Sequence, residues 1–334
     1  MSVLVTGGAG YIGSHTVLAL RDADCPVVVL DNLSTGFEWA VPSRVPLIVG
    51  NVGDKALVAC IIQEHSVDAI MHFAGSVVVP DSIAQPLAYY SNNTVNSRQL
   101  IETAIEAGVR HFIFSSTAAV YGMPPTNPIS ESCLPMPMSP YGSSKLMTEI
   151  MLADSARAYD LSYLALRYFN VAGADPDGRC GQSTAGATHL IKVACETALG
   201  KRAQMAVFGT DYATPDGTCI RDYLHVSDLV EAHLRALTYL RRGGASTVLN
   251  CGYSKGYSVR EVVDAVKRVS GVNFAVEECG RRIGDPAVVV AASEKLRGCL
   301  DWDPRHDDLD AIVHSTLAWE RELNRMREPG FGRH

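Results

Sequence analysis

A strand-like run that ends in spaced glycines and opens into a helix constrains this chain more than any other feature. Residues 3–15 read VLVTGGAGYIGSH, with Gly7, Gly10 and Gly13 at three-residue spacing. Glycines allow a tight turn and let the backbone approach a pyrophosphate, while a helix N-terminus offers unpaired N–H groups and the positive end of a dipole. Asp31 follows 18 residues after Gly13, at the end of the run VVVL. A carboxylate there accepts hydrogen bonds from a ribose 2′-hydroxyl and repels a 2′-phosphate. The pattern predicts a dinucleotide-binding βαβ unit that takes NAD in preference to NADP.

The rest of the first half repeats that rhythm. Short β-branched runs at 3–6, 27–30, 47–49, 69–73, 111–114 and 163–169 alternate with helical stretches at 12–22, 54–65, 86–107 and 141–159. This predicts an α/β chain with a Rossmann-type, doubly wound parallel sheet covered on both faces. From about Ala174 the texture becomes a Gly/Asp/Pro-rich loop, a candidate boundary. Residues 1–175 are read as the NAD-binding domain, with 227–252 returning to it, and 176–334 as a smaller C-terminal α/β substrate-binding domain. Further helices are expected near 187–199, 227–241, 258–269 and 308–325, and a strand at 248–250.

Composition narrows the partners. With 29 Lys+Arg against 36 Asp+Glu the net charge is −7, so no global positive field exists to hold a nucleic acid. No apolar run approaches the roughly 18–20 residues of a membrane span, and VLVTG begins without a charged leader ahead of it. A cytoplasmic protein is expected. The nine cysteines include no CxxC and are read mostly as buried small hydrophobes. His65, His111, His225, His233 and His314 show no metal-ligand spacing, and no metal site is predicted.

The chemistry resides in a second motif. Tyr141 and Lys145 stand four apart in YGSSK, at the start of a helical stretch, which puts both on one face. A phenol of pKa about 10 is only about 0.1% ionised at pH 7, so a base near neutrality needs a shift of about 3 units. An adjacent ammonium and a cationic nicotinamide are expected to supply it. Ser115, Ser116 and Thr117 close the strand FIFSST just upstream, where a hydroxyl can bond a substrate oxygen.

With these motifs in place, the sequence resembles the extended short-chain dehydrogenase/reductases and, among them, the nucleotide-sugar 4-epimerases. The matching stretches span almost the whole chain: TGGAGYIGSH (6–15), DNLSTG (31–36), HFAG (72–75), YYSNN (89–93), FIFSSTAAVYG (112–122), SPYGSSK (139–145), LRYFNVAGA (166–174), FGTDYATPDGTCIRDYLHV (208–226) and GRRIGDP (280–286).

The resemblance implies reversible NAD-dependent inversion at C4 of UDP-hexoses, interconverting UDP-galactose and UDP-glucose through a 4-keto sugar. Tyr141 is then the base, Lys145 binds the nicotinamide ribose and lowers the phenol, and Thr117 assists at the sugar O4. NAD is expected along Gly7, Gly10, Tyr11, Ile12 and Gly13, with Asp31 and Asn32 beside the ribose. Asn51 and Val52 face adenine. Phe73, Ala74, Gly75, Asn92 and Ser115 line the cofactor, and Tyr168 and Phe169 lie near the nicotinamide. The UDP-sugar is expected at Asn170, His189, Leu190, Phe208, Arg221, Arg282 and Asp285. A homodimer through helices near 86–107 and 141–159 is implied as well.

Four places depart from the familiar pattern. Gly50-Asn51-Val52 replaces an acidic GD[IV] motif, although an amide both donates and accepts. Val77 stands where some members carry Lys, and His189 where Asn is frequent. Val289 occupies a place held by a bulky Tyr in some epimerases, which leaves room for a 2-acetamido group and for UDP-N-acetylhexosamines.

Other functions on this fold are weighed against single residues. A sugar dehydratase needs an acid/base pair where this chain has Ala118 and Ala119. A uronate decarboxylase, or a uronate or pentose 4-epimerase, is harder to exclude. A catalytically dead NAD-sensing regulator has no need of Tyr141 and Lys145 together.

Overall fold

The computed structural model describes residues 1–282 and 284–327, so the end of the predicted 176–334 segment lies outside the described residues. In chain order the first half comprises β1 (Ser2–Thr6), α1 (Tyr11–Asp22), β2 (Val27–Asp31), β3 (Leu47–Val49), α2 (Lys55–Glu64), β4 (Val67–His72), α3 (Val79–Ala84), α4 (Pro86–Tyr89), α5 (Asn96–Glu106), β5 (His111–Thr117), α6 (Pro140–Ala158) and β6 (Ser162–Tyr168). The second half adds β7 (Asn170–Ala172), α7 (Leu190–Ala198), β8 (Met205–Phe208), β9 (Ile220–Arg221), β10 (Tyr223–His225), α8 (Val226–Arg241), β11 (Thr247–Cys251), β12 (Tyr257–Ser258), α9 (Val259–Ser270), β13 (Val276–Cys279), β14 (Val288–Val289), α10 (Glu294–Leu300) and α11 (Leu309–Arg327).

Among the described residues the main sheet has seven strands, all parallel, in the order β11-β6-β5-β4-β1-β2-β3. Successive side chains of a strand point to opposite faces, and here both faces are buried. Val3, Val5, Val29, Met71, Ile113 and Leu164 join one apolar cluster with α1, α7, α8, α9 and α11. Leu4, Val28, Leu30, Ile70, Phe112 and Ala165 join the other, against α2, α5 and α6. Order reverses between β1 and β4, and in open α/β sheets ligands bind outside the carboxyl ends of strands at such a point. The small sheets β10-β7, β12-β9-β14 and β13-β8 lie beyond the main sheet. Their strands are only two to four residues long, too short to register in a hydrophobic pattern.

Local chemistry explains the helix boundaries. Ser139 accepts a hydrogen bond from the Gly142 N–H at 3.2 Å, and Pro140 starts α6. Ser258 and Glu261 form a capping box on α9, which ends at Gly271 with φ +73°.

Two expectations are corrected. The helix expected over 86–107 is α4, one π-helical turn at 90–95, and α5. Only Cys180, Cys195, Cys219 and Cys251 are buried; four others are half-buried and Cys60 is exposed. Cys60 sits on the solvent face of α2, beside the inward Val58 and Ile61. No helix among the described residues is long and apolar enough to cross a membrane.

Candidate active site

The glycine turn sits at the carboxyl end of β1. Gly7 has φ +71°, and a Cβ there would lie 2.6 Å from the Ala74 nitrogen; one at Gly13 would lie 2.1 Å from the Gly7 carbonyl oxygen. Both positions demand glycine so that β1, α1 and the segment after β4 can close on one another. Gly10 differs: its Cβ would meet only the Gly7 oxygen, at 3.3 Å, with open space beyond. A side chain there would fill the cradle over the first turn of α1. That turn has no side-chain cap and no acidic residue, so the Tyr11, Ile12 and Gly13 amides remain available to an anion.

Asp31 ends β2 and is buried. Its Oδ2 accepts from the Ala9 N–H at 2.9 Å and its Oδ1 from the Leu33 N–H at 2.8 Å, which fixes the carboxylate while leaving further lone pairs. Asn32 is exposed and accepts from the Ser34 N–H at 3.0 Å. Asn51 is exposed and caps its own turn, accepting from the Gly53 N–H at 2.8 Å, and Val52 is buried among Leu4, Val28 and Leu30. The Tyr11 hydroxyl donates to the Gly173 carbonyl at 2.6 Å.

Phe73 and Ala74 both donate their N–H groups to the Thr6 carbonyl, at 3.0 and 3.1 Å, tying the end of β4 to that of β1. The following loop is clamped by the π-helical turn. Asn92 Nδ2 donates to Ser76 Oγ at 2.9 Å. The buried Asn93 accepts from the Ser76 N–H at 2.7 Å, and its Nδ2 donates to the Ser76 carbonyl at 2.9 Å and to Ser144 Oγ at 3.1 Å. Asn93 thus couples the Gly75–Ser76 loop to α6. The resemblance named its neighbour Asn92; helical spacing could have found Asn93, which stands four, seven and eleven residues before the buried Ser97, Leu100 and Ala104. Val77 is exposed.

Tyr141, Ser144, Lys145, Thr148 and Glu149 lie on the buried side of α6, facing β5. Lys145 Nζ donates to the Ser115 carbonyl at 3.0 Å and lies 5.0 Å from the Phe114 ring centroid. The Tyr141 phenol is influenced by the Thr117 hydroxyl, whose Oγ1 accepts from the Ala119 N–H at 3.1 Å. Ser115 Oγ shares a short hydrogen bond with the Tyr168 hydroxyl.

The charge balance differs from the expectation. Burial pushes the Tyr141 phenol up to about 12, against the lowering by the Thr117 hydroxyl. Burial also pulls Lys145 down to about 8, against the raising by Glu149. In the protein alone, therefore, the ammonium does not make Tyr141 acidic. Desolvation disfavours the charged form of both groups and is the largest influence on each.

Beneath them lies a buried ion pair that the motifs did not reveal. Arg167 Nη2 donates to Glu149 Oε2 at 2.6 Å and Arg167 Nε to Oε1 at 2.9 Å. Ser116 Oγ donates to the same carboxylate. Arg167 Nη1 donates to the Tyr121 hydroxyl at 2.9 Å, which donates in turn to Asn250 Oδ1 at 2.7 Å.

The predicted sugar-nucleotide residues form separate groups. Arg221 Nη2 donates to Asp285 Oδ1 at 2.5 Å, and Arg221 lies in register with Val289 across β9 and β14. Val289 packs against the cluster that holds Phe169 and Tyr121. The Arg282 guanidinium stands 3.9 Å from the Phe208 ring centroid and makes no ion pair among the described residues. Leu190 starts α7 behind the exposed His189, whose Nδ1 is hydrogen-bonded to Gln182 Nε2 at 2.7 Å. Asn170 starts β7, and its N–H donates to the Asp222 carbonyl at 3.0 Å. No hydrogen bond among the described residues joins His189 to either arginine group.

The sequence pattern of the NAD dependent epimerase/dehydratase family matches residues 3–252. The chain belongs to this family. The UDP-glucose 4-epimerase of Azospirillum brasilense is 56% identical over 321 residues, covering 96% of this chain and 92% of that protein. A solved UDP-glucose 4-epimerase superposes with a TM-score of 0.95 at 43% identity, covering 98% of this chain and 100% of that one. The enzyme from Brucella ovis, solved in complex with NAD, gives 0.92 at 41% identity, covering 95% and 97%. NAD, the cofactor of the family, fits the residues present: the open side of Gly10, the uncapped amides of α1 and the braced Asp31 carboxylate together suit a pyrophosphate and a ribose.

Proposed function

We propose that this chain is an NAD-dependent epimerase that inverts C4 of UDP-hexoses, interconverting UDP-galactose and UDP-glucose. The observation that carries the reading is the buried Tyr141–Thr117 hydroxyl pair beside Lys145, at the same carboxyl edge of the sheet as the glycine turn. NAD belongs to residues 1–175 with 227–252, and the UDP-sugar to 176–334. When bound, NAD supplies the acceptor for the C4 hydride and a positive ring that favours the phenolate. Tyr141 takes the O4 proton and returns it, Thr117 holds O4 in line, and Lys145 holds the ribose. Arg221 and Arg282 face the diphosphate, where a planar guanidinium matches phosphate oxygens. Phe208, Asp285, Asn170, His189 and Leu190 enclose the nucleotide. Conversion of UDP-galactose to UDP-glucose by the purified chain, with no net change in NAD, tests the proposal; release of a deoxy or decarboxylated sugar overturns it.

Val289 supports a wider substrate range, because its short side chain borders the cluster that holds Phe169. UDP-N-acetylgalactosamine is expected to turn over as well. Val289→Tyr is expected to abolish that activity while leaving UDP-galactose conversion measurable, as parallel assays with the two sugars will show.

A homodimer is supported by apolar side chains left in water on two helical segments. Val95 is 48% exposed, and on α6 Met147 is 42% and Ile150 52% exposed. Leu87 of α4 and Ile83 of α3 extend the same kind of surface. Sedimentation of Met147→Glu/Ile150→Glu is expected to show a monomer where the native chain shows a dimer.

A further inference from the structure

Asp222 lies between the residues that would hold the substrate, yet neither the dinucleotide turn nor the Tyr/Lys motif uses it. It joins β9 to β10, and it is 0% exposed. Its Oδ1 accepts from the Tyr253 N–H at 2.9 Å; its Oδ2 accepts from the Ser254 N–H at 3.0 Å and the Ala291 N–H at 3.2 Å. Its backbone completes the junction: the Asp222 N–H donates to the Val289 carbonyl at 3.2 Å and its carbonyl accepts from Asn170 at 3.0 Å. One carboxylate therefore ties together three segments remote in sequence: the β9–β10 link, the turn after β11 and the chain leaving β14.

Burial pushes this carboxyl up to about 6 in spite of three amide donors. A charge is thus placed where an uncharged side chain would suffer less desolvation, and what the carboxylate adds is the geometry of its three amide bonds. Ser254 adds to the argument, since it adopts φ +63°, a region that disfavours a side chain, and its N–H is held there by Asp222. Alternate residues of an extended chain point to opposite sides, so anchoring Asp222 inward directs Arg221 outward toward Asp285.

We propose that Asp222 is a positioning residue for substrate recognition, acting by aiming the Arg221 guanidinium at the UDP diphosphate. The inference rests on the reading that Arg221 contacts the nucleotide sugar. An amide at this position offers one oxygen to two sets of donors and turns an NH2 group against a backbone N–H. Asp222→Asn is therefore expected to raise KM for UDP-galactose about tenfold, equivalent to losing about one charged hydrogen bond, with kcat changed less than about threefold and NAD content unaltered. Gly252→Ala reaches the same clamp from the other side, because its Cβ would lie 2.6 Å from Asp222 Oδ2. It is expected to raise KM in the same way and decides the question alone should Asp222→Asn fail to fold.

Combination with Arg221→Met separates the two layers. If Asp222 acts through Arg221, adding Asp222→Asn or Gly252→Ala to Arg221→Met raises KM less than about twofold further. Fully multiplicative effects, an unchanged KM in both clamp variants, or a fall in kcat with KM unmoved overturns the positioning role while Arg221→Met still raises KM. If Arg221→Met itself leaves KM unchanged, the reading of Arg221 as a substrate residue falls, and the inference falls with it.

Discussion

Tyr141→Phe is expected to lower kcat for UDP-galactose by about 10²–10⁴-fold, the usual span for loss of a positioned proton-transfer group, with bound NAD retained. The buried phenol is held at about 12 in the protein alone. At that value only roughly one molecule in 10⁵ carries a phenolate at pH 7, so the base must be created by charge that arrives with the cofactor. Ultraviolet titration of NAD-free protein is expected to find this ionisation near 12, and NAD to move it downward. The same transition is expected to be absent from Tyr141→Phe. A variant within about twofold of native kcat, or a titration that NAD leaves unmoved, removes Tyr141 from the role of base.

Arg167→Met is expected to destabilise the fold by about 3–5 kcal/mol, because it strands the Glu149 carboxylate in the interior. Side-chain exposure is 7% for Arg167 and 4% for Glu149, so water cannot take over the lost bonds. Burial alone would lower the Arg167 guanidinium; the Glu149 bonds instead hold it above its ordinary value. Replacing both partners, as Arg167→Met with Glu149→Leu, is expected to lose less than Arg167→Met alone, since no unpaired charge then remains buried. Denaturant unfolding of the three proteins measures this, and a single-variant loss below about 1 kcal/mol would place the pair among weak surface bridges.

The local features of the chain were legible without coordinates. Gly7, Gly10 and Gly13 announce a turn because backbone conformation and close approach depend on the residue itself, and Asp31 follows at a spacing set by one βαβ unit. Tyr141 and Lys145 share a helix face through a four-residue offset. The runs at 3–6, 27–30 and 111–114 are buried on both sides, which continuous apolar character signals.

Other parts of the site were hidden because they join residues far apart. Asn93 meets Ser76 and Ser144 across separate elements. Glu149 meets Arg167, and Arg221 meets Asp285, across separate elements. The three donors to Asp222 come from two other segments.

The sequence by itself determined the parallel α/β sheet, the glycine turn and the shared helix face of Tyr141 and Lys145, since each follows from a residue's own conformational preference or from short-range spacing. Tertiary structure alone decided which polar groups are stripped of water. It therefore decided that Tyr141 resists ionisation, that Lys145 is weakened, and that Asp222 and the Glu149–Arg167 pair are buried with their partners, because desolvation and electrostatic partnership depend on everything packed around a group.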